Sequence, residues 1–475
     1  MKLTQKSIRR RQLLVLSIFV ILAGCKINKD LPRPEPELPI SFQDSINADT
    51  LGIAALPWQS FFQDQKLQAL IDSTLRNNFD MALALKNIEQ AQAMVKQSKW
   101  NQLPMLELQL NANTLNPSTY SLNGKTSSMF LGSNHMEDFA ATALLSWEAD
   151  IWGKIRLSNK TVLAEYLQTE ASKKVLQTQL IASVAKGYFN LLMLDEQLRV
   201  AKHHIRLSDS SLHSVKALYA AGQVTDVAVQ QVEAQHLLAA AILPYLQREI
   251  SVQENALHLL SGQLPGTKQA RCRLQDIEFP AQFSTGLPAA IMRRRPDIRY
   301  AELDLTRANA KVGIQKAQFY PSLRITATGG VNALKASDWF NVPNALFGMV
   351  AGSVVQPLLQ HKQLQTQYKI AQLEREKSVI RFRQTVLQAV GEITDALTKI
   401  DNLHEQQRVS ALRVSSLQQA TSKVDALFLN GMANYMEVIT AQRNALDSEL
   451  DLASLRCQQL LAMTDLYRSL GGGIF

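Results

Sequence analysis

The residue with the clearest chemistry in this 475-residue sequence is a cysteine near the N-terminus. Cys25 follows Leu22-Ala23-Gly24, after a basic head and an apolar run from Leu13 to Leu22. A charged head, a short apolar core and small residues before a cleavage point are typical of a secretory signal peptide. The alternative is an ordinary signal peptide that is followed by a cysteine by chance. We expect residues 1–24 to be the signal peptide and the Cys25 thiol to accept a diacylglycerol.

The residues that follow Cys25 point to the outer membrane. Lys26 comes next, and by resemblance to lipoproteins whose second residue is not Asp it favours that membrane. Prolines then recur among charged residues, which is typical of a semi-extended tether. Several acyl chains on one N-terminus hold a protein stably at a membrane. We therefore predict a lipidated N-terminus and Pro-rich tether over residues 25–56, with outer-membrane lipid as a partner.

The charge balance argues against a nucleic acid partner. The formal net charge is +9, but the basic head falls inside the predicted signal peptide. Nucleic acid binding would call for a clustered basic patch. The only triple basic run after the predicted signal peptide, residues 293–295, leads directly into Pro296-Asp297. There we favour a solvated approach to a helix, or an ion pair between subunits, over a phosphate site.

The remaining side chains give little support for catalysis. The sequence has no glycine-rich phosphate loop after a strand and no Cys or His pairs at metal-ligand spacing. His203 and His204 are adjacent, so they point to different sides of a helix, and we expect surface positions. Cys272 and Cys457 could form a disulfide, but a chain of this size does not need one. We interpret both as small apolar residues and expect no enzyme activity and no cofactor besides the lipid on Cys25.

The chain contains an internal repeat. Asp80 corresponds to Asp297 and Pro104 to Pro321 at one constant spacing, with further identities between them. After each proline a helical run gives way to alternating apolar and polar residues. Repeats at a fixed spacing set the architecture of a chain. We therefore expect one helix-then-strand unit that is used twice.

Four segments alternate with period two, which places one set of side chains on each face of a sheet. They are Leu106–Asn113, Phe139–Glu148, Leu323–Thr328 and, less cleanly, Phe347–Val355. Polar loops are expected between the members of each pair, over residues 114–135 and 329–346. The alternation fits either a half-buried soluble sheet or a membrane barrel with lipid outside and water inside. The predicted lipid anchor favours the barrel.

Four strands cannot close a membrane barrel, because the smallest ones have about eight. Open sheet edges are not tolerated in lipid, so several chains must share one barrel. Three chains with four strands each would give twelve, which makes the trimer a geometric hypothesis. Aromatic residues near the strand ends fit interfacial belts, although each could equally belong to a core: Trp100, Trp152, Phe319, Tyr320, Trp339 and Phe340.

The predicted helices are long and paired. No proline lies between Lys154 and Ala221, which allows a helix of about 100 Å. Apolar residues recur there every seven positions, as in a coiled-coil seam: Val184, Leu191, Leu198, Ile205, Leu212 and Tyr219. The second copy, over residues 364–430, keeps the pattern less strictly. Each long helix stops at a glycine, Gly222 or Gly431, which can cap a helix in the left-handed conformation, and a second helix follows each glycine.

Together these features resemble the outer membrane factor (TolC-like) family, in its lipoprotein efflux branch. The residues that carry the resemblance are Ser146–Lys154, Leu287-Pro288 with Arg294–Ile298, Phe319–Leu323 and Leu470–Gly473. The resemblance implies a mainly α fold with a transmembrane β-barrel. It implies a trimeric outer-membrane efflux tunnel, in which four strands per protomer share a 12-stranded barrel, with a long periplasmic α-helical barrel. It also implies docking to a periplasmic adaptor protein and an inner-membrane transporter.

The domain organisation follows from the repeat and the resemblance. After the signal peptide and the tether we expect first-repeat helices and an equatorial part at 57–104 and the first strand pair at 105–150. A long helix, a tip turn and a return helix should fill 151–265. A linker and second-repeat helix at 266–320 and the second strand pair at 321–357 come next. Residues 358–475 should form the second long helix, tip turn, return helix and C-terminal tail.

The resemblance also suggests a gate at the two tip turns, Gly222 and Gly431. Asn434 and Tyr435 match the family's tip pattern, and Glu437 takes the place of a carboxylate that some relatives carry. Three copies of Glu437 would form a charged ring, as in cation-selective pores. At the first turn, Thr225 and Asp226 are the polar candidates. The alternative is that Glu437 and Asp226 are solvated caps near helix starts, where acidic residues are favoured anyway.

One departure from the family lies after the fourth strand. Relatives often carry a Gly-rich turn there, whereas this chain has Gln360-His361-Lys362-Gln363, so the resemblance leaves the geometry of the turn open.

Three functions remain open on the sequence. The first is the exit duct of a tripartite efflux pump in the outer membrane of a Gram-negative bacterium, passively conducting small molecules or drugs. The second is the exit duct of a type I protein secretion system. The third is a structural coiled-coil lipoprotein of the envelope, which the four alternating segments disfavour. The predicted lipid anchor favours the first, by resemblance.

Overall fold

A computed structural model describes residues 56–266, 268–277 and 294–473. The predicted signal peptide, Cys25, nearly all of the tether and Leu287-Pro288 lie outside the described residues. The described chain divides into two compact units. The first consists of Glu89–Leu167 and Leu303–Ile380, and the second contains the other described residues.

The elements follow one another in the order that the repeat predicts. The helices are α1 (Trp58–Phe61), α2 (Gln65–Asn77), α3 (Phe79–Trp100), α4 (Leu122–Leu131), α5 (Lys154–Ala220), α6 (Asp226–Leu260), α7 (Pro296–Ala317), α8 (Gln363–Leu429) and α9 (Tyr435–Ser469). The strands are β1 (Met105–Leu115), β2 (Met136–Ala149), β3 (Ser322–Ala333) and β4 (Leu346–Val355). Corresponding helices of the two repeats have equal lengths: α3 and α7 have 22 residues each, and α5 and α8 have 67 each.

The four predicted strands are confirmed, and they form one antiparallel sheet in the order β1-β2-β3-β4. The two loops between them are not irregular throughout, as the sequence suggested. The first contains α4, whose start is capped by Ser121, since the Ser121 hydroxyl accepts a hydrogen bond from the Gly124 N–H at 3.0 Å. In the second, β3 extends to Ala333, and a 3-10 turn follows at Ala336–Phe340.

The strand register sorts the side chains of the sheet onto two chemically different faces, because directly paired residues share a face. One face is apolar in the body of all four strands: Leu106, Leu108, Leu110, Phe139, Ala141, Ala143, Leu145, Trp147, Leu323, Ile325, Ala327, Val331, Leu346, Val350 and Val354. The other face carries the polar residues: Glu107, Gln109, Asn111, Asn113, Asp138, Thr142, Ser146, Glu148, Arg324, Thr326, Thr328, Asn332 and Ser353. The sheet therefore has one face suited to lipid and one suited to water.

The second unit is held together by an aromatic and aliphatic core around α1. Phe61 of α1 is 1% exposed and stacks on Tyr467 of α9, with ring centroids 4.1 Å apart. Tyr188 and Phe189 of α5 belong to the same buried cluster. Burial of aromatic rings supplies much of the apolar area that stabilises such a core, so the short helix α1 anchors the start of the described chain against α9.

Arg295 corrects the expectation of a solvated or intersubunit basic run. Its side chain is buried and donates to Asp297 Oδ2 at 2.6 Å, to Glu392 Oε2 at 2.9 Å and to the Ser469 carbonyl at 2.7 Å. A buried guanidinium is stable only when its donors are paired. Because these partners lie on α7, α8 and α9, Arg295 joins three helices within one chain.

The predicted coiled-coil seam of α5 is buried at three of its six members and half-buried at Leu198 and Ile205. Val184, Leu191 and Leu212 are buried, whereas Tyr219, the last member, is 48% exposed. In α8, Thr421 interrupts the apolar pattern and is nevertheless buried, because its hydroxyl donates to the Leu417 carbonyl at 2.9 Å. Within the described ranges, no helix combines the length with the apolarity that crossing a membrane requires.

The turn before α8 adopts the backbone of a Gly-rich turn without glycine. His361 has φ 48° and Lys362 has φ 61°. Before α5, at the corresponding place in the first repeat, Gly153 has φ 74°. A left-handed conformation is unstrained for glycine and costs energy for other residues. The turn geometry is thus retained at the cost of local strain.

Replacing Lys362 with glycine is expected to raise the free energy of unfolding by about 1 kcal/mol, because glycine adopts the left-handed conformation without strain. The measurement is thermal unfolding in detergent, followed by circular dichroism. Gln360→Gly is the matched control, since Gln360 does not have a positive φ. A Lys362→Gly variant that melts no higher than the control would contradict the expectation.

Candidate functional site

The two predicted tip turns have the same construction. Gly222 lies between α5 and α6 with φ 72°, and Gly431 lies between α8 and α9 with φ 70°. At the first turn the Gln223 N–H donates to the Leu218 carbonyl at 2.9 Å, and at the second the Met432 N–H donates to the Leu427 carbonyl at 2.8 Å. These bonds close a helix end around a left-handed glycine. Each turn therefore reverses the chain within a few residues.

The two helical hairpins share one apolar cluster next to these turns. Its buried members are Leu212, Val215, Ala228, Val229, Val232, Phe428 and Val438, and they come from all four helices. Tyr435 is half-buried and packs against this cluster. The structure thus gives Tyr435 a packing role, and the two turns of one chain belong to one packed body.

Asn434 and Glu437 are in direct contact at the start of α9. The Glu437 N–H donates to Asn434 Oδ1 at 3.1 Å, and Asn434 Nδ2 donates to Glu437 Oε1 at 3.2 Å. The first bond caps the helix, because it satisfies a free backbone N–H group at the helix start, and the second bond joins the two side chains. Glu437 is exposed, so its carboxylate accepts a hydrogen bond from the Asn434 amide and faces solvent at the same time.

Thr225 and Asp226 lie at the other turn. Thr225 is the N-cap residue of α6, but its side chain makes no capping hydrogen bond. Asp226 is exposed and accepts a hydrogen bond from Gln230 Nε2 at 2.7 Å, one turn further along α6. A carboxylate in the first turn of a helix is favourable on its own. The structure therefore places these two candidates at a helix start and brings neither into contact with Glu437.

A polar layer crosses the hairpins next to the apolar tip cluster, and the sequence did not predict it. Gln442 Nε2 of α9 donates to Ser211 Oγ of α5 at 2.9 Å, and it lies 3.4 Å from Asp425 Oδ1 of α8. Ser208 Oγ of α5 lies 3.1 Å from His236 Nδ1 of α6. Burial raises the pKa of Asp425. The only signal in the sequence was the loss of the apolar seven-residue pattern in α8.

His204 is also part of this layer, and the surface position expected for it is wrong. His203 is exposed, but His204 is only 5% exposed, and its Nε2 lies 3.5 Å from Glu449 Oε2 of α9. Gln418 Nε2 of α8 donates to the other carboxylate oxygen of Glu449 at 2.7 Å. Burial opposes ionisation of Glu449, but the contact with His204 and the hydrogen bond from Gln418 outweigh it and hold the pKa of Glu449 below its usual value.

Cys272 and Cys457 are free thiols, and both donate hydrogen bonds, Cys457 Sγ to Asn190 Oδ1 at 3.3 Å. Cys272 Sγ donates to Asp64 Oδ2 at 3.1 Å, and the Tyr188 hydroxyl donates to the same oxygen. Burial and the neighbouring Asp64 carboxylate raise the pKa of Cys272 to about 11, and burial raises that of Cys457 to about 12. Cys272 is therefore not simply a small apolar residue. In the parts of the chain that the structure describes, no three His, Cys, Asp or Glu residues are grouped to hold a metal ion.

This chain is similar to known proteins in both sequence and fold. The profile of a family described as "Outer membrane efflux protein" matches residues 70–263 and 287–472. The chain is 27% identical over 471 residues to the cation efflux system protein CusC of Escherichia coli strain K12, covering 97% of this chain and 99% of the relative. It is also 27% identical over 462 residues to the solvent efflux pump outer membrane protein SrpC of Pseudomonas putida, covering 96% and 97%.

A solved structure shows the same fold. It is the open state of the MtrE outer membrane channel of Neisseria gonorrhoeae, which matches with a TM-score of 0.84 at 24% identity and covers 95% of this chain and 99% of that one.

Asn434→Ala is expected to destabilise the start of α9 by about 1 kcal/mol, because it removes the side-chain cap. The measurement is amide hydrogen exchange, which should accelerate in the first turn of α9 and stay unchanged in the first turn of α6. Asn430→Ala is the matched control, since Asn430 donates to the Ala426 carbonyl at the end of α8 and caps no helix start. Equal protection of α9 in both variants would refute the capping role.

The pH dependence of stability should report the contact between Glu449 and His204. The pKa of Glu449 is lowered in the folded chain, so its ionised form stabilises the fold above a pH of about 4.5, and this contribution is lost as the pH falls through the lowered pKa. We expect Glu449→Gln to lose less stability than the wild type on acidification below that pH. Asp447→Asn, which alters an exposed ion pair with Arg443, should behave like the wild type. Indistinguishable pH profiles for all three proteins would contradict the assignment.

Proposed function

The chain belongs to the outer membrane efflux protein family, and on this premise we propose that it is the exit duct of a tripartite efflux pump. It is an efflux channel of the outer membrane. In the proposed assembly three copies share one 12-stranded barrel and one helical barrel. Substrate enters at the tip turns, after a periplasmic adaptor protein and an inner-membrane transporter have docked, and leaves through the bore. The conduit is passive and needs no catalytic group, because the transporter supplies the energy.

The observation that carries this proposal is the two-faced sheet with two free edges. Its apolar face is exposed to a high degree in the single chain, for example at Leu108 (82%) and Val350 (78%). In water such a face would be covered by a second layer, whereas in a membrane it contacts lipid. The opposite face carries carboxylates, amides and hydroxyls, which suit a water-filled bore.

The free edges argue for more than one copy. Among the residues that the structure describes, only the inner sides of β1 and β4 are paired, with β2 and β3. Unpaired backbone N–H and C=O groups cost several kcal/mol each in lipid, so strands of other copies must complete the sheet. Three copies would supply the twelve strands expected for the family.

A helical seam supports the same conclusion. On α6, apolar residues at seven-residue spacing are left exposed by more than half: Leu238, Tyr245, Val252 and Leu259. A seven-residue apolar stripe is typical of a surface that packs against another helix. A helix of a second copy is the proposed partner.

The transported substrate is proposed from the relatives. The name of one relative refers to cation efflux and that of another to solvent efflux, which supports small molecules or ions as the cargo of this chain. We also propose that Cys25 carries a lipid, which would hold the N-terminus at the outer membrane alongside the barrel.

The gate proposal for Glu437 can be tested together with channel activity. The purified wild-type protein should conduct in planar bilayers and run as a trimer on an unboiled gel. We expect Glu437→Ala and Glu437→Gln both to raise the single-channel conductance, because each removes a charge at the tip. Gln can still accept the hydrogen bond from Asn434 Nδ2, so it separates loss of charge from loss of this side-chain contact.

An increase in Glu437→Ala alone would show that loss of the side-chain contact with Asn434, and not loss of charge, opens the tip. An unchanged conductance and ion selectivity in both variants would refute a gate at Glu437. A wild-type protein that gives no conductance and runs as a monomer without boiling would refute the duct itself.

A further inference from the structure

The internal repeat makes it possible to infer which residues meet where two copies join. One seam between the repeats lies inside the chain, where β2 of the first repeat pairs with β3 of the second. There Ala149 is opposite Leu323, Glu148 is opposite Arg324, and Leu145 is opposite Ala327. If copies are related as the repeats are, then β4 of one copy meets β1 of the next in the equivalent register. This inference rests on the proposed function, because it needs several copies to share the sheet.

The correspondence between β1 and β3 is set by the helices before them. Helices α3 and α7 have equal lengths, and Pro104 and Pro321 stand directly before the two strands. Leu106 therefore corresponds to Leu323, and Glu107 corresponds to Arg324.

The correspondence between β2 and β4 is set by the register within each hairpin. Met105 pairs with Ser146 in the first repeat, and Ser322 pairs with Val355 in the second. Because Met105 corresponds to Ser322, Ser146 corresponds to Val355.

Two further observations agree with this assignment. Trp147 Nε1 donates to the carbonyl of Gln102, and Gln356 Nε2 donates to the carbonyl of Phe319, which is the residue that corresponds to Gln102. The same spacing matches Gly153 with Lys362, and both have left-handed backbones directly before a 67-residue helix.

We propose that β4 of one copy pairs with β1 of the next in a register that places Val354 opposite Leu110 and Val355 opposite Gln109. Val354 and Leu110 then meet on the apolar face, and Val355 and Gln109 meet on the polar face. Leu358 comes to lie opposite Leu106 at the end of the seam. In the single chain these edge residues are unusually exposed: Leu106 (66%), Leu110 (78%), Val354 (69%) and Leu358 (86%).

The seam between copies has a different charge from the seam inside the chain. Inside, the Glu148 carboxylate faces Arg324 across the strands and also accepts from Lys154 Nζ at 2.9 Å. Between copies, Glu107 takes the place of Arg324, and Pro357 takes the place of Glu148. Glu107 therefore has no cation opposite it in the pairing strand. Three copies would place three such carboxylates at one level of the bore, where they favour cations over anions.

Disulfide trapping tests the register in the full lipoprotein in its own membrane. The pairs Val354→Cys with Leu110→Cys and Val355→Cys with Gln109→Cys are in register. Two pairs are needed because neighbouring antiparallel pairs alternate in the separation of their side chains. Matched controls shift the partner by two residues on the same face: Val354→Cys with Leu108→Cys, or with Ala112→Cys. The four single-cysteine variants control for reaction with Cys272 and Cys457.

The expected result on a non-reducing gel is a covalent ladder of dimer and trimer for at least one in-register pair, at least tenfold above both shifted pairs. A ladder that is strongest for a shifted pair overturns the register and leaves the shared barrel standing. A wild-type trimer without any ladder overturns the seam between β4 and β1. A wild-type protein that is a monomer on the unboiled gel overturns the proposed function as well.

Reversal potentials test the consequence for Glu107. Glu107→Gln should lower the ratio of cation to anion permeability in planar bilayers, most strongly at low salt, where charges are least screened. Glu137→Gln is the matched control, because it makes the same change on the opposite face of the sheet, where Glu137 lies beside Thr114. Equal ratios in the two variants would overturn the placement of Glu107 in the bore.

Discussion

The backbone edges of the four-stranded sheet are the constraint on which the rest of this protein depends. A strand edge in lipid leaves N–H and C=O groups without partners, and each costs several kcal/mol. One chain satisfies only the inner edges of its outer strands, so the sheet of a single copy cannot be stable in a membrane by itself. Assembly is thus a condition of insertion for this protein. In the proposed assembly, the bore exists because neighbouring copies complete the sheet around its polar face.

In the second unit, side-chain contacts fix the positions of the long helices relative to one another. Arg295 links α7 to α8 and to the end of α9, and Phe61 and Tyr467 stack in the core around α1. Near the tip turns the packing is apolar again. The polar layer between these regions holds His204, Glu449, Gln442 and Asp425 in hydrogen-bonded contacts rather than in close apolar packing. Exchanging hydrogen-bond partners in such a layer costs less free energy than exposing the side chains of an apolar core.

The two repeats have the same helix lengths and equivalent strand registers, but their side chains differ. Gly153 before α5 is matched by the strained Lys362 before α8, and Arg324 on β3 is matched by Glu107 on β1. In the proposed trimer, equal geometry would allow the six β-hairpins of the three copies to form one ring of strands. Unequal side chains give the seams within a copy and between copies different charges, which a barrel of identical repeats would not have.

The sequence by itself determined the features that depend on local periodicity. Alternation with period two set the two faces of the sheet, and the seven-residue spacing through Val184 and Leu191 set the buried side of α5. Gly222 and Gly431 set the ends of the long helices, because glycine alone adopts the left-handed conformation without strain. The constant spacing between the two repeats, which matches Pro104 with Pro321, set the order of the elements.

Only the tertiary structure decided which distant residues meet. His204 is buried because α9 brings Glu449 against it, and Arg295 is buried because three helices supply its partners. Cys272 donates to Asp64, which is far away along the chain, and the Glu437 carboxylate accepts from the Asn434 amide. Periodicity reports which side of an element faces inward. The partner found on that side depends on how elements distant in sequence pack, and the free energy of such contacts is absent from any local pattern.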